Sequence, residues 1–163
     1  MFAAFEVLTT LLVALAMAPA LAHALELPGK LRLGEQDYRT VQQIYYPGFT
    51  ICGFAEVAAI AATLVLLVAL PFGSAPFWLT ALALAALVTM QAIFWTVTQP
   101  VNRHWVENMQ LTGRAGRFFG TDRPGTSPAE DWTVLRDRWE ASHVARAGAS
   151  LIALGAAVTA IAL

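Results

Sequence analysis

The chain has 163 residues, of which 58% are hydrophobic, and carries a formal net charge of −1. Its acidic and basic residues are interleaved, so the sequence offers no basic surface of the kind that binds nucleic acid. Four apolar stretches, each near the length that crosses a bilayer, account for over half the chain and lack the alternation of a membrane β-barrel. The sequence therefore predicts an all-α fold, a single integral membrane domain over residues 1–163 built as a four-helix bundle.

The four predicted spans cover residues 2–25, 49–72, 76–97 and 144–163. We interpret the first as a retained helix rather than a secretory signal, because it lacks a basic leading region and has Glu6 where a Lys or Arg is typical. Pro19 is expected to kink this helix by removing a backbone hydrogen bond. Pro28 and Gly29 predict a turn after it.

The basic residues predict the orientation. All ten Lys and Arg residues lie in or beside the two long connections, which join span 1 to span 2 and span 3 to span 4. The positive-inside rule places both connections in the cytoplasm, with both termini and the short turn at 73–75 outside. The predicted location is a bacterial inner membrane, with the lipid bilayer as the immediate partner.

A helix is predicted to lead into span 4. Ser127, Pro128 and Glu130 form a capping box with proline at the first helical position, which is typical of a helix start. Beyond it, Trp132 and Trp139 recur on one face, with polar residues beside them. An amphipathic cytoplasmic helix that continues into the membrane follows from this pattern.

Five ionisable residues sit in or at the ends of the apolar runs. His23 lies three residues before Glu26, and Glu140 lies three residues before His143, so each pair shares one helix face. Glu56 stands alone in span 2. Because charged groups in a membrane are costly and face the bundle interior, we expect all five to converge on one pocket in the cytoplasmic half.

This set partly matches a dinuclear metal site of the kind held by carboxylates and histidines in a helix bundle. The candidate metal ligands are His23, Glu26, Glu56, Glu140 and His143. Span 3 departs from the pattern because it offers Gln91, Thr98 and Asn102 rather than a carboxylate. A second interpretation stays open, in which these polar residues pair with Arg or Lys, so the sequence leaves both a transition metal and no cofactor as alternatives.

Four segments carry a resemblance to a known family. They are His23 to Leu31, Val41 to Phe49, Thr98 to Asn102 and Leu135 to His143. Together they resemble a four-helix membrane family that includes the anthrone oxygenases. The resemblance implies oxygen insertion at the activated CH₂ of a polycyclic phenolic anthrone, giving a quinone without an added organic cofactor.

Such a reaction requires a base, an apolar slot and a donor to the developing enolate oxygen. The candidate base is His23 or His143, oriented by Glu26 or Glu140. Candidate binding residues for the substrate or a cofactor are Gln91, Asn102, Tyr45 and Trp139. For the aromatic residues, bundle packing or interfacial anchoring is the alternative interpretation.

Three function classes follow from the sequence. The first is a membrane oxidoreductase, a monooxygenase of the anthrone oxygenase type, acting on an apolar aromatic or quinone-like small molecule from the lipid. The second is an accessory subunit of a larger membrane complex, with no catalysis of its own. The third, a proton- or ion-coupled carrier, is disfavoured because the outer half of the bundle has almost no polar residues. A homo-oligomer is also left open.

Overall fold

The computed structural model describes residues 2–106, 113–119 and 131–163. These residues form helices joined by short turns and contain no β-strand, so the predicted all-α class is confirmed. The helices are α1 Phe2–Lys30, α2 Glu35–Ile44, α3 Gly48–Ala69, α4 Ala75–Ile93, α5 Gln99–Val106, α6 Gly113–Phe119 and α7 Trp132–Ala162, with a π-helical turn at Phe94–Thr98.

Four helices among the described residues are long and apolar enough to cross a membrane, as predicted. They are Phe2–Lys30, Gly48–Ala69, Ala75–Val106 and Trp132–Ala162. The third comprises α4, the π turn and α5, so it continues beyond the predicted end at residue 97. The fourth confirms a helix that leads into span 4; its predicted start at 127–130 lies outside the described residues. In the described part, the Asp131 carboxylate caps α7 by accepting the Thr133 N–H at 2.9 Å.

The turn predicted at Pro28 is wrong. Helix α1 continues through both Pro19 and Pro28 and ends at Lys30. One reason is that the continued helix brings Lys30 Nζ within 3.3 Å of Glu26 Oε2, one turn earlier. The buried lysine thereby becomes part of the bundle rather than of a surface loop.

The four long helices form a ring in which α1 and α4 each contact both α3 and α7. Small residues make up much of the centre, where Ala16, Ala59 and Ala153 are fully buried beside Val13 and Leu87. Small side chains allow helix backbones to approach closely, which is the main source of packing between membrane helices. Large apolar side chains cover the outside, as expected for a surface in contact with lipid.

The two ends of the bundle differ. At one, called the turn end, Gly73 has a φ of 82° and Ser74 caps α4 by accepting the Phe77 N–H at 3.2 Å. At the other, called the loop end, Tyr38 of α2 packs against Trp105 of α5 and Leu135 of α7. This packing fixes α2 and α5 around the polar residues of the bundle.

Candidate functional site: two histidines beside an apolar cavity

A cavity of about 480 Å³ lies at the loop end. Every helix in the described part of the chain contributes to its wall. Phe54 and Val57 in the first half of α3, and Trp95 in the π turn, line it and are more than half exposed, and we call these three residues its rim. The volume lies in the range of ordinary small-molecule sites, and the rim faces outward from the bundle.

His23 and His143 contact each other at the cavity wall. Their ring centroids lie 4.2 Å apart, and the side chains are 3% and 4% exposed. Tyr45 and Trp139 place their rings edge-on to His23, with centroids at 4.4 and 4.7 Å. The two imidazoles are therefore packed against aromatic rings from α7 and from the segment after α2.

Lys30 is the centre of a polar group that we call the Lys30 cluster, made up of the buried residues Lys30, His23 and Glu140 and of Glu26, whose side chain is 41% exposed. Its Nζ lies 3.3 Å from Glu26 Oε2, 3.3 Å from Glu140 Oε1 and 3.3 Å from His23 Nδ1. An ammonium has three N–H donors and no acceptor, so the three neighbours satisfy it fully. His23 Nδ1 is therefore the acceptor, and the neutral ring carries its proton on Nε2.

Two tyrosines outside the Lys30 cluster donate hydrogen bonds to its carboxylates. Tyr38 donates its hydroxyl to Glu140 Oε1 at 2.9 Å, and Tyr45 donates to Glu26 Oε2 at 2.5 Å. Burial, reinforced by the neighbouring carboxylates, raises the pKa of both phenols. Both therefore stay protonated as donors. The Tyr45 hydroxyl, a predicted donor to substrate, binds Glu26 instead.

Glu56 belongs to a second buried polar group. The Arg146 guanidinium donates from Nη2 to Glu56 Oε1, lies over the Phe94 ring at 5.1 Å, and has Nη1 3.4 Å from His143 Nδ1. A guanidinium can only donate, so His143 Nδ1 accepts and Nε2 carries the ring proton. That Nε2–H is buried and has no hydrogen-bond partner among the described residues.

The predicted metal ligands do not fit a shared metal. Within residues 2–106, 113–119 and 131–163, no group of three or more His, Cys, Asp or Glu side chains is placed to hold one. Lys30 lies between Glu26 and Glu140, and Arg146 binds Glu56, so each of these three carboxylates already has a cationic partner. The alternative interpretation, pairing with Lys and Arg, describes the observed contacts.

The predicted residues divide by position. His23, Glu56 and His143 line the cavity, whereas Glu26 and Glu140 are absent from its wall. Gln91, Asn102, Tyr45 and Trp139 also line it. The Asn102 oxygen accepts the Trp139 Nε1–H at 2.7 Å, so Asn102 positions Trp139.

The model of the anthrone oxygenase family matches residues 42–156, which is more than two thirds of the chain. The chain belongs to the anthrone oxygenase family. No curated protein and no solved structure gives a significant match. The matched region of this anthrone oxygenase family member contains Glu56, His143 and Arg146 but not His23 or Lys30.

Lys30 and Arg146 were not predicted as site residues, although their spacing carried the signal. Lys30 follows Glu26 by four residues and Arg146 follows His143 by three, so each shares a helix face with a predicted site residue. Gln42 and Trp105 were not predicted either. The cavity of this anthrone oxygenase family member is lined by five residues that each have a buried polar atom without a partner in the described part of the chain: Gln42 Nε2, Gln91 Oε1, Trp105 Nε1, His143 Nε2 and Arg146 Nε.

Unpaired buried polar atoms are rare in folded proteins because each one loses its hydrogen bonds to water. Five of them surround one cavity, which leaves hydrogen-bonding positions open there. The indole, guanidinium and imidazole atoms among them are all donors, so they can bind only acceptor atoms, such as carbonyl or phenol oxygens.

Proposed function

We propose that the protein is a membrane oxygenase that oxidises the activated CH₂ of a polycyclic, anthrone-like aromatic molecule bound in this cavity. The observation that carries the proposal is the neutral His143, whose Nε2–H is buried and unpartnered among the described residues and belongs to the cavity wall beside Glu56. Membership in the anthrone oxygenase family supports oxygenase chemistry.

The reaction balances without an external reductant. Conversion of the CH₂ to a carbonyl releases four electrons, which reduce O₂, and one oxygen atom enters the product while the other leaves as water. Removing a proton from the CH₂ starts the reaction, because the resulting carbanion is delocalised over the rings and can pass an electron to O₂. The protein must therefore accept a proton and stabilise the enolate oxygen.

The contacts favour a division of roles that differs from the sequence expectation of a histidine base. Both histidines accept a cation's N–H at Nδ1, which leaves Nε2–H as a donor at each ring. Glu56 is the one carboxylate among the described residues of the cavity wall. We assign Glu56 as the base and His143 as the donor to the enolate oxygen, an arrangement that combines a carboxylate base with a neutral imidazole.

The rim gives an apolar substrate a route from the lipid into the cavity. Phe54, Val57 and Trp95 are exposed on the outer surface of the bundle, which lipid covers in a membrane. A molecule dissolved in the bilayer can pass between α3 and the π turn without crossing water. The accessory-subunit alternative has no comparable observation in its favour among the described residues.

The test is conversion of anthrone to anthraquinone by purified protein in lipid nanodiscs, followed as O₂ uptake with a chelator present. His143→Ala is expected to slow turnover by about 10²–10³-fold, as removal of an oxyanion donor does. His143→Gln restores an N–H donor but cannot act as a base at neutral pH, so it is expected to recover part of the activity.

The matched control is His104→Ala, which removes a histidine that does not line the cavity, and it should keep wild-type turnover. An inactive wild-type protein would favour the accessory-subunit alternative. His143→Gln as inactive as His143→Ala would assign His143 as the base instead.

We propose that the loop end faces the cytoplasm, on the strength of the bias in Lys and Arg. In a Cys52→Ala background, cysteine is introduced at exposed Gln36 on α2 or at exposed Ala75 at the turn end. An impermeant maleimide is expected to label the Ala75→Cys protein in intact cells and the Gln36→Cys protein only after permeabilisation. The reverse pattern would invert the orientation.

A further inference from the structure

Gln42 of α2 and Trp105 of α5 line the cavity, and both helices lie at the loop end of the bundle. Both are buried, with 5% and 3% exposure. Gln42 Nε2 and Trp105 Nε1 have no hydrogen-bond partner within the described residues. Two well-buried donors without partners in the described part of the chain therefore belong to the cavity wall, and neither takes part in the proposed proton transfer.

The Trp105 indole is held in place by two residues of α2, one of which is also bonded to the α5 backbone. Its ring lies edge-on to Tyr38 at 5.2 Å, and the Arg39 guanidinium lies over it at 5.5 Å. Arg39 is itself fixed, because its Nη1 donates to the His104 carbonyl oxygen at 3.1 Å. The direction of the indole N–H is therefore set before a ligand binds, which lowers the entropic cost of using it.

The two donors lie nearer the loop end of the bundle than His143. Trp105 packs in one cluster with Leu135 and Trp139, which precede His143 by eight and four residues on α7. At 1.5 Å per helical residue these offsets are about 12 and 6 Å along the helix axis. Gln42 follows Tyr38, a member of the same cluster, by one helical turn. A ligand that reaches both His143 and this part of the wall must extend beyond one aromatic ring.

We propose that Gln42 and Trp105 form a polar anchor that binds an oxygen on an outer ring of the substrate, remote from the reacting CH₂. An indole N–H can only donate, so the bound atom is an acceptor, either a phenol or a carbonyl oxygen. The inference rests on the proposed function and deepens it, since the anchor determines which oxygenated aromatics the cavity prefers.

The test measures binding rather than turnover. Dissociation constants are measured in nanodiscs for anthraquinone and for a derivative with one hydroxyl on an outer ring. Wild-type protein is expected to bind the hydroxylated compound about tenfold more tightly, a preference in the range of one or two hydrogen bonds. Gln42→Met and, separately, Trp105→Phe are expected to reduce this preference without weakening the binding of anthraquinone.

The control is Gln43→Met, which makes the same change at the exposed neighbouring position and should keep the preference. Gln42→Met tests the anchor even if Trp105→Phe fails to fold. A wild-type protein that binds both compounds equally, or a Gln42→Met variant that keeps the preference, overturns the anchor and leaves the proposed function standing. A wild-type protein that binds neither compound overturns both.

Discussion

Glu56→Gln is expected to slow oxygenation by about 10²–10⁴-fold, the contribution typical of a positioned general base. Glu56 is the one carboxylate in the described part of the cavity wall, and its Oε1 accepts from Arg146. Glutamine keeps the size of the side chain and an oxygen that can accept the same hydrogen bond, but it cannot take a proton from the substrate. Turnover of anthrone in nanodiscs, with O₂ uptake and product formation measured together, checks the result.

Glu26→Gln is the matched control. Glu26 belongs to the Lys30 cluster and does not line the cavity, so the same substitution there should have a much smaller effect on turnover. Glu56→Asp keeps a carboxylate at a shorter reach and should retain part of the activity. Equal turnover in the Glu56→Gln and wild-type proteins would exclude Glu56 as the base and return that role to His23 or His143.

Arg146→Met is expected to destabilise the bundle by about 3–5 kcal/mol, because it leaves the buried Glu56 carboxylate without its cation. Both members of the pair are nearly inaccessible, at 5% and 6% side-chain exposure. The double variant Glu56→Met with Arg146→Met removes both charges and should recover most of the lost stability. The measurement is unfolding by a denaturing detergent in mixed micelles.

The double variant also separates stability from catalysis, since it should be folded and yet inactive. Arg136→Met supplies the control, because its partner Asp137 is 61% exposed and such pairs contribute about 1 kcal/mol or less. A double variant no more stable than Arg146→Met would show that the pair is not the source of the loss.

The sequence predicted the four spans because hydropathy over a long window depends on local composition, which tertiary contacts do not alter. The helix that leads into span 4 was predictable for a related reason, since its amphipathic period continues into the apolar run. Helical spacing likewise selected His23 and His143, which the structure brings into contact.

The ion pairs were less accessible to sequence reasoning. Lys30 contacts Glu140 across 110 positions of sequence, and Arg146 contacts Glu56 across 90. Such pairings depend on the rotation and depth of each helix, which a hydrophobic period does not determine. Basic residues were interpreted as signals of orientation, and the turn predicted at Pro28 placed Lys30 outside the bundle.

The π turn divides the third span into two helical segments whose side chains are rotated relative to each other about the helix axis. A π turn contains one residue more than an α turn, so the residues beyond Thr98 are rotated by about 100° about the axis relative to an uninterrupted α-helix. Before the π turn, Ala86 and Leu87 of α4 belong to the alanine-rich centre of the bundle. After it, Asn102 and Trp105 of α5 line the cavity. Deletion of one residue within Phe94–Thr98 would therefore change which side chains of α5 face the cavity. It would leave the packing of α4 intact.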